Sequence, residues 1–495
     1  MPLVPFQHMQ SCDISPVREA LLNARYNDEA CAGIERGAVL AGQIDLDAAM
    51  DETSDGSPRS TMVRLLMLGT RVSRADAERA FGEAGLRVLT ETGVIFERDG
   101  GLAAEVSVLP IDDHFTVRDF SPLLGDRPMT DDHVLGVGPS TRILADLTVR
   151  PPVNDVLDLG TGQGYQAILA AAHAARVVGT DVNPRALSCA AIAAGLNARA
   201  NIDLREGSLF EPVAREQFDL IVSNPPFLIV PPSDLVAVTS RFEGDQLVER
   251  IAREAPGHLR DGGYLCMLCS WHHHAAADWP QRPQSWVEGA GCDAWIMKFE
   301  MLTPAECTMK FRREFQKSSL NRVQREEWLA YYKKLGADLV TIGGIILRKR
   351  AGRNWTRCDE LTPDYRRPWA GGVIETVFEN EAILSTLAPG ALLDARPTLS
   401  PTVEVEQRWQ AAADGGLNVI SATIRHLTSL QMPLAAHATV LRLMTLLDGQ
   451  STLRAALQNV AASMGLDPQQ VLHECLPGLE RLARLGYLKL RGAFP

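Results

Sequence analysis

Four short apolar runs that alternate with helical stretches constrain the fold of this 495-residue chain more than any other feature. Val156 to Leu159, Val177 to Gly179, Asp219 to Val222 and Tyr264 to Leu268 are bounded by Gly, Pro or Asp, as parallel strands covered on both faces are. Between them, Asn183-Pro184 supplies an N-cap and a first-turn proline for an Ala/Leu-rich helix reaching about Leu196. Leu247, Ile251 and Ala255 mark one face of another helix, which stops at Pro256-Gly257. Strand–helix alternation of this kind predicts an α/β fold with a parallel sheet and right-handed crossovers. The chain is too long for one hydrophobic core, and about three domains are expected at ~150 residues each.

The flanks read differently. In the first region, Ser60 to Leu68 predicts a helix, Ser73 to Asp76 a capped helix start, and Leu86 to Thr92 a third helix ending at Gly93. Val94 to Phe96 and Ala104 to Leu109 then flank Asp99-Gly100-Gly101, a hairpin signal. Three helices and a two-stranded wing make a winged-helix-like pattern. Its third helix carries Arg87 as its one basic side chain, which favours packing or protein docking over reading DNA. The last region predicts helices at Ala438 to Leu447, Ser451 to Met464 and from Pro468, with a break at Pro477-Gly478 and a strand at Tyr487 to Leu490. The expected division is 1–120 winged-helix-like, 121–354 catalytic, and 355–495 α-rich, with a second winged-helix-like module as its other reading.

A formal net charge of −12 argues against broad affinity for nucleic acid. One stretch departs from it: Lys310, Arg312, Arg313, Lys317, Arg322, Arg325, Lys333 and Lys334 stand against three glutamates. Such a run is ordinarily a solvated helix face, and the other reading is a nucleic-acid or ribosome contact. No run of ~18 apolar residues marks a membrane span, and the N-terminus lacks a secretory pattern. Nine scattered cysteines form no disulfide framework, so a cytoplasmic location is expected.

The chemistry concentrates at strand ends. Asp158-Leu159-Gly160-Thr161-Gly162-Gln163-Gly164 follows the first strand and opens a helix, with glycines where a Cβ would block a ligand. Asp181 ends the second strand, where an acid can accept from both ribose hydroxyls of a nucleoside; nicotinamide and S-adenosylmethionine enzymes share this feature. Asn224-Pro225-Pro226-Phe227, directly after the third strand, separates the two. A planar amide or aromatic amine is a poor nucleophile because its lone pair is delocalised. The Asn224 side-chain oxygen and the Pro225 carbonyl can accept its two hydrogens and turn the lone pair toward an electrophilic methyl. Phe227 can stack on the planar acceptor. The plain structural reading, a rigid turn after a strand, gives no reason for the order of these three motifs.

With these motifs the chain resembles the class I methyltransferases that carry an Asn/Asp-Pro-Pro-aromatic motif, over about residues 130 to 350. That group includes release-factor glutamine, ribosomal RNA guanine and adenine-specific DNA methyltransferases, and the motif order is most similar to the first two branches. The resemblance implies a Rossmann-like seven-stranded sheet and S-adenosyl-L-methionine as methyl donor. It implies that Asp158, Gly160, Gly162 and Gly164 line the methionine part, that Asp181 holds the ribose, that Thr161, Val182 and Asn224 also bind the donor, and that Asn224 to Phe227 hold the target nitrogen. Ser208 stands where relatives often carry Asp for the adenine amino group, a weaker acceptor, with Leu209 and Phe210 placed to cover the adenine. A longer resemblance, to actinobacterial-type methyltransferases, takes in His133 to Thr141 and implies that Gly138, Ser140 and Thr141 pack over donor or acceptor.

The implied activity is methyl transfer to a nitrogen of a protein glutamine amide or a nucleobase amine. The partner is thus a protein or RNA, with no membrane and no metal. A nicotinamide-dependent oxidoreductase and a non-catalytic cofactor-binding protein are the alternatives. Trp271 is expected to help wall the pocket, and His272 to His274 to form a loop tract at its edge. Cys266 and Cys269 have metal-like spacing but fall on a buried strand, where zinc is not expected. Oligomeric state is not legible.

Overall fold

The computed structural model describes residues 3–9, 11–31, 39–40, 43–121, 129–231, 242–315, 322–364, 366–388, 390–411, 415–490 and 493. Side chains are described within these, except at 39–40, 43–44, 311–315 and 322–324. The chain divides into two compact units: Met1–Leu144 with Pro151–Asp359, and Ala145–Arg150 with Glu360–Pro495.

The N-terminal part of the first unit includes α1 (Ser15–Asn23), α2 (Pro58–Met62) and α3 (Arg74–Glu91). Ser73 caps α3 by accepting from the Asp76 N–H, as its spacing predicted. The expected third helix is the second half of α3, set off by a kink at Gly82 (φ 69°, ψ 168°). The wing differs from expectation. β1 (Ile95–Arg98) pairs with β2 (Gly101–Ala104), but Ser107–Ile111 forms a separate strand, β3, paired with β4 (His114–Arg118). Asp112 and Asp113 turn this second hairpin at positive φ (49° and 62°). Such a two-residue turn matches the strand twist, and Asp tolerates it better than most residues.

After α4 (Pro139–Leu147) the sheet begins: β5 (Val153–Leu159), α5 (Tyr165–Ala170), β6 (Ala174–Asp181), α6 (Pro184–Leu196), β7 (Ile202–Glu206) and β8 (Phe218–Ser223). It continues with α7 (Gln246–Glu254), β9 (Leu259–His273), α8 (Gln281–Val287), β10 (Cys292–Leu302), α9 (Pro304–Phe315), α10 (Arg322–Lys334), β11 (Leu339–Lys349) and β12 (Thr356–Glu360). The eight strands lie in the order β12-β10-β11-β9-β8-β5-β6-β7. The five from β9 to β7 are parallel, and β11 runs antiparallel between β9 and β10. The sheet is therefore mixed and one strand wider than expected, because the chain after β9 returns through long antiparallel strands.

Register levels the carboxyl ends. Leu159 sits beside Thr180 and Ser223, and Asp181 beside Glu206, so the residues that follow β5, β6 and β8 emerge along one edge. Large side chains on one face of the sheet, among them Leu157, Ile221, Leu265 and Ile345, pack with Trp286 of α8 to form the core beneath it. The histidine tract is not a loop: β9 continues through His273, whose Nε2 lies 3.1 Å from the Thr341 hydroxyl of β11. The side chains of Arg312, Arg313 and Arg322, and the whole of Lys317, lie outside the described residues. Among the described residues no helix is long and apolar enough to cross a membrane.

The second unit contains α11 (Gly371–Leu384), a hairpin of β13 (Val403–Ala411) and β14 (Leu417–His426), α12 (Ala438–Met444), α13 (Leu453–Met464) and α14 (Pro468–Arg484). The sequence reading missed the hairpin, whose strands are mostly exposed, although Val403, Val405, Trp409 and Ala411 alternate with polar residues along β13. It also expected a break at Pro477-Gly478, whereas α14 runs through Pro477. Leu472, Leu479 and Leu482 bury one face of α14 in the core of this unit, and tertiary burial there outweighs the local proline penalty.

The segment Ala145–Arg150 belongs to this second unit. The Ala370 N–H donates to Asp146 Oδ1 at 3.0 Å, and the Arg150 guanidinium lies 3.9 Å over the Trp369 ring. Burial pushes the Asp146 carboxyl up to about 6. A Cβ at Gly371 would meet the Thr148 carbonyl oxygen at 2.1 Å, so only glycine fits against this backbone. Gly371→Ala is expected to cost about 2 kcal/mol through overpacking. A lower midpoint for the unfolding of this unit checks it, and an unchanged midpoint contradicts the packing described.

Candidate active site

The levelled strand ends of the first unit open into a cavity of about 1130 Å³. Gly138, Ser140, Thr141, Asp158, Gly160, Thr161, Gly162, Asp181, Val182, Ser208, Leu209 and Asn224 to Phe227 all line it. So does the whole segment His133 to Thr141. That segment is tied to the start of α6: Asn183 Nδ2 donates to the Asp132 carbonyl at 2.8 Å, and the Val134 N–H to Asp119 Oδ2 at 2.8 Å. Asp119 in turn pairs with the half-buried Arg185.

The turn after β5 is held by two carboxylates. Asp158, 2% exposed, accepts from the Thr161 hydroxyl at 2.6 Å and the Ala167 N–H at 3.0 Å. Asp181 accepts from the Gly162 N–H at 2.8 Å and the Asn183 N–H at 2.9 Å, one bond to each oxygen. Each Asp181 oxygen keeps further lone-pair capacity for a ligand hydroxyl. Burial raises both groups, Asp158 to about 7. Gly160 (φ +73°) and Gly162 (φ +55°) have open space where a Cβ would stand, so the backbone there is bare toward the cavity.

Gly164 departs from its implied role. It is absent from the cavity lining, and a Cβ on it would stand 3.0 Å from that of Ala190, so this glycine serves the close approach of α5 to α6. Trp271 also departs: it is fully buried in the core, 6.1 Å from the Trp279 ring, and its indole N–H donates to the Trp279 carbonyl at 2.7 Å. Strand alternation points it away from the cavity. Phe210 is likewise outside the lining and stacks on His258 at 4.4 Å, leaving Leu209 to face the space.

The segment after β8 is pinned from outside the motif. The Ser223 hydroxyl donates to the Leu159 carbonyl at 2.8 Å, the Ser270 hydroxyl to the Phe227 carbonyl, and the Tyr332 hydroxyl to the Ile229 carbonyl at 2.7 Å. Phe242, Phe299 and a Glu300–Lys310 ion pair line the same side of the cavity. Sequence reasoning missed these residues, since they come from distant strands and helices and form no local pattern. It also passed over Gln163, although that residue stands inside the glycine motif and lines the cavity. Cys266 and Cys269 lie buried on β9, where burial pushes the Cys269 thiol up.

Asp158 supplies a test. Its folded carboxyl keeps a proton to about 7 against an ordinary 3.8. The stability it contributes is complete below pH 3.8 and is lost as pH rises through 7, an effect of up to ~4 kcal/mol. Asp158→Asn is expected to flatten this dependence, gaining on wild type between pH 5 and 8 in denaturant melts. Parallel pH profiles for the two proteins would contradict it.

Residues 136–277 match the family model described as "Methyltransferase small domain". Residues 18–105 match a second, described as "Domain of unknown function (DUF7059)". A release factor glutamine methyltransferase of Xylella fastidiosa is 39% identical over 133 residues, covering 24% of this chain and 48% of the relative. A ribosomal protein uL3 glutamine methyltransferase of Bradyrhizobium diazoefficiens is 33% identical over 174 residues, covering 32% and 54%. The chain thus spans about half the length of these relatives. A methyltransferase structure from Pyrococcus furiosus aligns with a TM-score of 0.28 at 16% identity, over 44% of this chain and 88% of that one.

Proposed function

From the premise that this chain carries a class I methyltransferase domain of the small-domain family, related to the release-factor and ribosomal glutamine methyltransferases, we propose that it methylates a planar nitrogen. The acceptor is a protein glutamine amide or a nucleobase amine. The observation that carries the reading is the convergence of the Gly160–Gly162 turn, Asp181 and Asn224–Phe227 on one cavity.

These residues fit S-adenosylmethionine on two counts: bare backbone at Gly160 and Gly162, and an Asp181 carboxylate oriented by two N–H groups with lone pairs to spare. When bound, that donor supplies a sulfonium methyl open to direct displacement. The chain's own residues then do the positioning. Asp181 accepts from the ribose hydroxyls, and Ser208 and Leu209 meet the adenine. The Asn224 oxygen and the Pro225 carbonyl accept the two hydrogens of the acceptor nitrogen, aiming its lone pair and stabilising the positive charge that develops there. The prolines and the Ser270 and Tyr332 hydroxyls hold this loop in shape, so little ordering remains to be done on binding. Phe227 stacks on the acceptor plane. We further propose that residues 1–120, 121–354 and 355–495 act as three functional modules and that the protein works in the cytoplasm.

Asn224→Ala is expected to leave S-adenosylhomocysteine affinity within about threefold while lowering methyl transfer by ~10²-fold or more. Transfer is read as tritium moved from the labelled donor into protein or RNA of a cell extract. Equal loss of binding and transfer would remove the assigned role. Asp181→Ala is expected to weaken that affinity by ~10-fold or more, as loss of hydrogen bonds to a charged group does, and calorimetry checks it.

A further inference from the structure

The hairpin of the second unit is anchored at one end and bare at the other. Ala422 and Ile424 of β14 are buried, and Ile424 belongs to the core of this unit. Toward the turn the two strands expose Trp409 (52%), Val419, Ile420 and Leu417 (65%). Register sets Trp409 beside Val419 and Ala411 beside Leu417, so these side chains share one face. Among the described residues β13 has β14 on one side and no strand on the other. The extra residue, Ile420, bulges from β14, while all nine residues of β13 keep a partner on it. A long edge with exposed apolar side chains is a template for a further strand. Charges of one sign ordinarily guard such an edge by repelling a second copy. Here the sign changes along the strand, from Glu404 and Glu406 to Arg408.

The order of residues says what the template fits. We propose that β13 pairs antiparallel with β13 of a second copy of this chain, about a two-fold axis at Gln407, joining the two hairpins into one four-stranded sheet. In that register Glu406 faces the copy's Arg408, Val405 its Trp409, Val403 its Ala411 and Glu404 its Gln410. The two-fold makes each of these contacts twice. Apolar side chains meet apolar ones and each facing pair of charges is opposite in sign. Neighbouring registers lose this match. Centred on Glu406 the strand sets that carboxylate against itself, and centred on Arg408 it sets two guanidinium groups together. Centred on Val405 it opposes Glu404 with Glu406. Like charges directly opposite across a strand pair are destabilising. Within the hairpin Arg425 already reaches Glu404 at 2.7 Å and Glu406 at 3.2 Å, whereas Arg408 makes no ion pair among the described residues. Arg408 is the cation left for the copy's Glu406.

Sedimentation velocity on the full chain tests the pairing. Wild type should run at twice the mass of one chain in the micromolar range. Glu406→Arg alone sets two cations face to face, and Arg408→Glu alone sets two anions. Each is expected to weaken the dimer by ~10-fold or more. An equimolar mixture of the two variants brings every cation opposite an anion again and should recover the wild-type mass, which damage to the hairpin itself would not allow. The double variant, Glu406→Arg with Arg408→Glu, restores the opposition within one sequence and should also be dimeric. It decides the matter if either single variant fails to fold. A monomeric wild type, a dimer that neither single variant weakens, or folded single variants that stay monomeric on mixing each overturn the inference. None of these outcomes bears on the proposed activity.

Discussion

The site depends on how one buried carboxylate ties a strand to the turn and helix that follow it. Asp158 has Gly179 and Val222 as neighbours on the two adjoining strands, with almost no solvent to share its charge. Its bonds to the Thr161 hydroxyl and the Ala167 N–H fold the chain back sharply after β5 and start α5 in place. The same turn is anchored from the next strand, where the Thr180 carbonyl accepts from the N–H groups of Gly160 and Thr161 at 2.9 and 2.8 Å. Asp181, one residue later, then reaches Gly162. Two neighbouring carboxylates thus set the shape of one turn, and burial raises both. A site built for a cationic ligand would pull them back toward the ionised form.

Local motifs were the legible part of this molecule. A glycine turn, an acid at a strand end and an Asn-Pro-Pro-Phe segment each act through backbone shape or through their own side chains, so their meaning survives without knowledge of distant residues. The level register of β5, β6 and β8 then brings them to one cavity. Trp271 shows the limit. On a strand covered on both faces, apolar residues point in both directions, and nothing in the run from Tyr264 to His273 distinguishes core from cavity. Gly164 shows another: a motif glycine can serve helix packing as readily as a ligand.

What escaped the sequence reading was non-local. Ser270 and Tyr332 reach the acceptor loop from β9 and α10, and their hydroxyls carry no signal in the chain around them. The second hairpin of the N-terminal module depends on an Asp112-Asp113 turn, which is weaker as a turn signal than Asn-Gly or Asp-Gly. The return strands β10 and β11 were overlooked because the reading followed parallel strand–helix alternation and stopped where the alternation ended. A nicotinamide enzyme would share the glycine turn and Asp181, but it would leave the tethered Asn224–Phe227 loop without a purpose. A non-catalytic binding protein would need neither that loop nor its tethers.

The most direct test of the central claim is a calorimetric titration of the wild-type chain with S-adenosylmethionine beside one with NADH. The account predicts micromolar, one-to-one binding of S-adenosylmethionine and none of NADH. Binding of NADH alone would contradict it and make the glycine turn and Asp181 the site of a different nucleoside chemistry.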